Sequence, residues 1–424
     1  MNVAPRYFIS THRSLIARCL LALFAMLLVL AGPVQAAPAG KVSASYIVIL
    51  KGGHPVAQEL TQYGLTATQV YSSVFPGYAA VLSDAQRKAI TSDADVEMVV
   101  ADETIAAAKA PIPPVTDPTQ PAQVVPTGVR RIGGLLSPTA RINGIDQRVD
   151  ADIAVIDSGV DLSHPDINIA GGVDCTSGDK YGDPAGHGTH VAGIAAALDN
   201  RFGVVGVAPG ARIWAVRVLN KNGGGSKSHI ICGIDWVTAH ADVIDVANLS
   251  FGTKGSDDGR CGEKDNDAMH IAICRSVAAG VTYVSSAGNA SVDTRTQVPA
   301  AYGEVISVSA ISDYDGLSGS LADPSCFDMG ADDSFATYSN FGSVVDLAAP
   351  GSCIFSTWIG RYGTNTGTSM SAPHVSGAAA LYLSNHPDAT PAQVRTTLMA
   401  AASPGPIAGD PDNSAEGILN VSTL

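Results

Sequence analysis

The 424-residue sequence predicts an α/β protein: a doubly wound, mostly parallel sheet preceded by a small α+β module of ferredoxin-like order. Three observations carry this. Short β-branched-rich runs without strict alternation recur after Val149, at Ala151–Ile156, Ala211–Leu219, Val243–Leu249, Val281–Ser285 and Val305–Ala310. Such runs are typical of strands buried on both faces of a parallel sheet. Helical patterns alternate with them, at His187–Leu198, Ser226–Ala239, Asp265–Ala279, Ser369–Ser384 and Thr390–Ala401, which favours α/β over segregated α+β. Hydrophobic residues make up 46% of the chain and charged residues 15%, a composition that builds a large core.

In chain order, residues 1–36 read as a secretory signal. Arg6, Arg13 and Arg18 precede the apolar run Cys19–Ala31, and Val34-Gln35-Ala36 offers a small-residue cleavage site. The run is too short for a membrane span, which needs about 20 apolar residues. Residues 37–105 read as the small module. Ser45–Leu50 is a strand, Pro55–Tyr63 a short helix, and Val70–Val74 and Gly77–Ser83 are paired strands. Asp84–Thr91 is a helix capped by Ser83, and Val96–Ala101 is the last strand. That β-α-β-β-α-β order is ferredoxin-like. Residues 106–126, rich in Ala and Pro, read as a linker that does not pack. Residues 127–424 form the large domain.

The formal net charge of -14 excludes nucleic acid and anionic membrane as expected partners. The mature protein is expected to be soluble, extracellular and monomeric. Of seven cysteines, Cys19 leaves with the signal. An even set in an exported chain suggests disulfides. Local pairing favours Cys261–Cys274 and Cys326–Cys353, with Cys175–Cys232 as the remainder; free buried thiols are the alternative.

Asp157 ends the apolar run Ala154-Val155-Ile156, where ligands bind in doubly wound sheets. Alone, such an Asp reads equally as a turn or helix cap. His187 lies between Gly186 and Gly188 at the start of an apolar helix, with room for a substrate. His190, three residues on, reads as a structural histidine. The i, i+3 spacing without Glu does not fit a helical zinc site. Ser369, in Gly367-Thr368-Ser369-Met370-Ser371-Ala372-Pro373-His374, opens a helix of small residues beside its unpaired N–H groups. A serine there is otherwise an N-cap.

The order Asp, His, Ser distinguishes one class of serine hydrolases. With Asp157-Ser158-Gly159, the glycine-flanked His187 and the Ser369 segment all present, the chain resembles a subtilisin-like serine protease from about Ala122 to Val421. The resemblance implies a triad of Asp157, His187 and Ser369, with Asn289 as oxyanion donor and Thr368 supporting it. Ser250, Phe251 and Gly252 on one side, and Gly223, Gly224 and Gly225 on the other, match segments that pair with substrate backbone. Ala287 and Gly288 belong to the oxyanion segment. Phe251 stands where a smaller aliphatic residue is expected, which alters a pocket several residues before the cleaved bond. The resemblance also implies a structural calcium site from Asp166, Asn200 and Gln123 side chains with the Leu198, Phe202 and Val204 carbonyls, an oxygen-only set. No organic cofactor is implied. The small N-terminal module resembles the family's propeptide, implying an intramolecular inhibitor removed by autoprocessing between Ile105 and Ala122, and protein or peptide substrates.

Two other readings stay open at this level. A ligase or cyclase on the same fold would pass the acyl group to an amine, and product masses would reveal it. A binding protein on an inactive scaffold would lack a triad or oxyanion residue, and none is missing.

Overall fold

The computed structural model describes residues 43–107, 114–117, 121–176, 178, 180–319, 321–412 and 416–424. The expected signal lies outside them. The small module runs β1 (Ser43–Leu50), α1 (Val56–Gln62), β2 (Ala67–Tyr71), β3 (Gly77–Ser83), α2 (Asp84–Thr91) and β4 (Val96–Ala101). Its antiparallel sheet has the order β2-β3-β1-β4. Ser83 caps α2 as expected: its Oγ accepts from the Gln86 N–H at 3.3 Å, and Gln86 Oε1 accepts from the Ser83 N–H at 3.1 Å. Side chains alternate along β1. Val48 and Leu50 pack with Tyr78, Leu82 and Ile90 in the module's own core. Ile47 and Ile49 join Tyr71, Phe75, Ile231 and Ile234 in a core shared with the large domain.

Two expectations are corrected. The second strand ends at Tyr71, not Val74, because the N–H groups of Ser72, Ser73 and Val74 turn onto the Asp235 carboxylate instead of a strand partner. Residues 106–126 are not simply an unpacked linker. β5 (Thr104–Ala107) and β6 (Val115–Asp117) are strands, and Ala122 and Val124 bridge to Phe202 and Val204. Small residues that lack periodicity still hydrogen-bond through their backbone, which a side-chain pattern does not reveal.

The large domain continues with α3 (Thr127–Arg131), β7 (Asp152–Asp157), β8 (Ile169–Asp174), α4 (His187–Ala196), β9 (Arg212–Arg217) and β10 (Gly224–Ser226). Then follow α5 (Lys227–Ala239), β11 (Val246–Leu249), β12 (Phe251–Lys254), α6 (Ala268–Ala278), β13 (Thr282–Ser286), β14 (Gln297–Val298) and β15 (Ile306–Ser312). The chain closes with β16 (Ser334–Phe335), β17 (Leu347–Pro350), β18 (Ile354–Trp358), β19 (Arg361–Asn365), α7 (Thr368–Asn385), α8 (Pro391–Ala401) and β20 (Gly417–Ile418).

The main sheet has the order β20-β17-β15-β13-β11-β7-β9-β8, parallel throughout, with the short β16 antiparallel against β15. Alternate residues of β7 enter opposite layers. Ile153 and Val155 pack against α4 and α7, whereas Ala154 and Ile156 pack with residues of α5. From β7 the chain goes to the edge strand β8, returns to β9 between the two, then crosses to β11 on the other side of β7. Strand order therefore reverses between β7 and β11, and the crevice opens at their carboxyl ends. Disulfides join Cys261–Cys274 and Cys326–Cys353, the two pairs expected from locality, and Cys175–Cys232, the remainder.

Candidate active site

Asp157 is the last residue of β7 and fully buried. The Ser158 N–H donates to its Oδ1 at 2.7 Å. His187 opens α4 and brings Nδ1 to 2.8 and 2.9 Å from the two Asp157 carboxylate oxygens. With Nδ1 donating to Asp157, Nε2 is the ring's acceptor. Gly188 makes this approach possible: a Cβ there would collide with the Gly159 carbonyl and crowd Asp157 Cβ at 3.2 Å.

Asp183 was not picked out from the sequence, yet it organises this corner. Its Oδ1 accepts from the Ala185 and Gly186 N–H groups, each at 2.8 Å, and from Ser158 Oγ at 2.9 Å. Its Oδ2 accepts from the Thr189 N–H at 2.9 Å and Thr189 Oγ1 at 2.6 Å. It thus holds the first turn of α4 and satisfies donors left open there. A carboxylate shortly before a helix start is the one local signal that marks it. Burial pushes the His187 pKa down, but the Asp157 charge, the hydrogen bond to Asp157 and the Asp183 charge outweigh it. The imidazole therefore sits above its ordinary value. His190 is structural, as expected: its Nε2 lies 3.1 Å from both the Ile354 and Gly363 carbonyls, and burial pushes its pKa down to about 3.

Ser369 stands in the first turn of α7, where β11 ends. Its Oγ donates to the Ser250 carbonyl at 3.2 Å, and Ser250 Oγ donates to the Ser369 carbonyl at 3.1 Å. Asn248 ties the two elements, donating to Ser250 Oγ at 2.8 Å and accepting from Ser376 Oγ at 2.9 Å. Asn289 Oδ1 accepts from the Thr368 N–H and Thr368 Oγ1, each at 2.8 Å, and Thr368 Oγ1 accepts from the Gly288 N–H at 3.1 Å. These bonds fix which way the Asn289 amide faces.

The expected substrate-pairing segments flank one strand. β5 runs antiparallel to both β10 and β12, with Ala106 opposite Gly224 and Gly252, Ile105 opposite Gly225, and Ala107 opposite Phe251. The Ala107 N–H also donates to the Gly223 carbonyl at 2.7 Å. Beside it opens a cavity of about 310 Å³ lined by Ala106, Ala107, Phe251, Gly252, Ala287, Gly288, Asn289, Gln297 and Val298. None of these side chains is charged.

The proposed cation ligands also converge. Asp166 is buried, and burial pushes its pKa up to about 6 despite bonds from the Val204 N–H, Asn200 and Tyr362. Asn200 Nδ2 donates to Asp166 Oδ1 at 2.6 Å, and the Gln123 side-chain oxygen accepts from the Asn200 N–H. Among the described residues, no backbone N–H donates to the Leu198, Phe202 or Val204 carbonyls.

The model of the Subtilase family matches residues 150–420. The chain belongs to the subtilase family. A second model, Peptidase inhibitor I9, matches residues 56–108 of this subtilase. Subtilisin NAT from Bacillus subtilis subsp. natto is 38% identical over 306 residues, 71% of each chain. A subtilisin from Bacillus pumilus is 37% identical and is covered over 98% of its length. A cold adapted subtilisin-like serine proteinase shares the fold at a TM-score of 0.54 and 32% identity, over 67% of this chain and 97% of that one. The subtilase is therefore a serine peptidase that hydrolyses peptide bonds and carries an inhibitory propeptide domain.

Proposed function

We propose that this subtilase is a secreted endopeptidase, made as an autoprocessed zymogen, in which Asp157, His187 and Ser369 form the catalytic triad. The observation that carries this is His187 Nδ1 held 2.8 Å from the buried Asp157 carboxylate, at the sheet crevice where Ser369 opens α7. His187 Nε2 takes the Ser369 hydroxyl proton as Oγ attacks a substrate carbonyl. Asp157 orients the ring and stabilises the imidazolium. The Asn289 amide and the Ser369 N–H stabilise the oxyanion. His187 then returns the proton to the departing amine, and water releases the acyl-enzyme.

β5 supports both the substrate mode and the inhibition. It lies between β10 and β12 as an added strand, the way an extended peptide docks on sheet edges. The propeptide thus occupies the groove that a protein substrate takes, and the cut that frees the enzyme falls between Ile105 and Ala122. The cavity beside β5 accepts an uncharged side chain, since its lining offers no counter-charge to a buried ion.

Asp166, Asn200, Gln123 and the Leu198, Phe202 and Val204 carbonyls fit a structural calcium ion. A buried carboxylate and three carbonyls without N–H donors among the described residues suit a hard cation. Asn200 presents its amide nitrogen to Asp166 and its Oδ1 accepts from the Phe202 N–H at 2.8 Å, so its oxygen would face an ion only after the amide turned over and gave up both bonds. The ion would fasten the loop after α4. No helix among the described residues is long and apolar enough to cross a membrane, which suits a secreted enzyme.

The test is Ser369→Ala in purified full-length protein. Expressed without other proteases, it stays unprocessed and takes up no fluorophosphonate label. Complete maturation of that variant would remove Ser369 as nucleophile.

A further inference from the structure

Far along the chain from the triad, Asp410 and Asp412 lie in the loop between α8 and β20, and Glu416 immediately precedes β20. The loop is anchored: the Phe335 N–H donates to the Ala408 carbonyl at 2.9 Å, and the Asp410 N–H to the Ile407 carbonyl at 3.2 Å. One carboxylate oxygen from each of the three acids lies within 4.8 Å of the others. That is about twice a calcium–oxygen distance of ~2.4 Å, the span that one shared ion bridges.

Acidic surface loops are common, so the cluster alone decides nothing. The deciding observation is Glu416, only 5% exposed. Its Oε1 accepts from Ser309 Oγ at 3.4 Å, but its Oε2 has no hydrogen-bond partner among the described residues. Asp410 Oδ2 is likewise buried without one. A buried carboxylate oxygen left without a donor costs free energy unless the group is neutralised or takes a cation. Burial, with the Asp410 and Asp412 charges beside it, pushes the Glu416 pKa up to about 7, although its own N–H and Ser309 stabilise the carboxylate.

We propose that Asp410, Asp412 and Glu416 bind a divalent cation of the calcium class. The ion would tie the loop after α8 to the sheet edge at β20, which pairs with β17. It supports the C-terminal segment and takes no part in the chemistry at Ser369. This site shares no residue with the one proposed at Asp166.

The test uses full-length protein carrying Ser369→Ala, stripped with chelator and titrated calorimetrically with calcium chloride. It is compared with the same chain carrying in addition Glu416→Gln or Asp412→Asn. Glu416→Gln is expected to bind one calcium fewer per chain. Asp412→Asn, on the exposed side, is expected to weaken that ion roughly ten-fold or more. Equal stoichiometry in the parent and a folded Glu416→Gln chain overturns the proposal and leaves a carboxyl kept protonated. If Glu416→Gln does not fold, unchanged affinities in Asp412→Asn overturn it. Adding Asp166→Asn to each chain removes the other ion and leaves the difference at Glu416, so the two sites fail separately.

Discussion

The carboxylate of Asp235, on α5, accepts the backbone N–H of Ser73 at 2.7 Å. The N–H groups of Val74 at 2.8 Å and Ser72 at 3.0 Å point to the same oxygen. One side chain of the enzyme thus collects three consecutive donors of the propeptide. Asp102 does the converse: its Oδ1 accepts the Ser228 N–H at 2.9 Å in the first turn of α5. Arg275 adds a bond to the Val74 carbonyl at 2.8 Å.

Asp235→Ala should therefore weaken the propeptide's hold without touching the triad. A hydrogen bond to a charged group contributes about 1.5–3 kcal/mol, and the three here together are worth about as much as one, because Ser72 and Ser73 are exposed and their N–H groups take water when the carboxylate is gone. Inhibition of the mature enzyme by separately added propeptide should weaken roughly ten- to a hundred-fold, with kcat/KM on a short peptide unchanged. An unaltered inhibition constant would show that the other contacts, those of Tyr71, Phe75, Asp102, Arg275 and β5, hold the propeptide without Asp235.

How far the sequence reveals this site follows from where the information sits. β7, α4 and α7 were legible because Asp157, His187 and Ser369 each end or begin an apolar pattern and lie near glycines. β5 was not, because Thr104–Ala107 becomes a strand only between Gly224–Ser226 and Phe251–Gly252, far along the chain. Asp183 and Asp235 were missed for a related reason. A carboxylate in a polar loop or on a helix reads as surface, and only the folded chain turns N–H groups onto it.

Asp183→Asn should move the pH dependence of kcat/KM. His187 acts as a base in its neutral form, and the net effect on its pKa is upward, in part from the Asp183 charge. Removing that charge lowers the pKa, so the acid limb shifts to lower pH. The plateau should also fall, because an amide cannot accept all the bonds from Ala185, Gly186, Ser158 and Thr189. A profile displaced to higher pH, or unmoved, would contradict the assigned influence on His187.

Thr368 is expected to act through Asn289. Thr368→Val removes the hydroxyl that donates to Asn289 Oδ1 and accepts from the Gly288 N–H, freeing the amide to turn. kcat should drop with KM nearly constant, and Thr368→Ser should restore most of it. Asn289→Ala sets the ceiling at about two to three orders of magnitude in kcat, the size found for one such donor in a subtilisin relative.

Calcium should raise the melting temperature of the Ser369→Ala chain. At a hundred times the dissociation constant, one ion bound only to the folded state adds about 2.7 kcal/mol, or several degrees. Asp166→Asn should cancel the share due to the loop after α4. Equal melting temperatures with calcium and with chelator would count against any structural ion.

Specificity at the residue before the cut should respond to Gln297. It lines the cavity beside Asn289 together with Phe251, Gly252 and Val298, and no lining side chain is charged. A lysine or arginine entering there loses water and gains no counter-ion, so uncharged side chains should dominate cleavage of a peptide library. Gln297→Glu supplies the missing charge at nearly constant volume. A partly exposed ion pair contributes at most about 1 kcal/mol, so the preference for lysine or arginine over leucine should rise roughly five-fold. High salt should erode that gain, since screening weakens an exposed pair but leaves the cavity's shape alone. A variant whose library profile is unchanged would mean that the side chain before the cut is read elsewhere than beside Gln297.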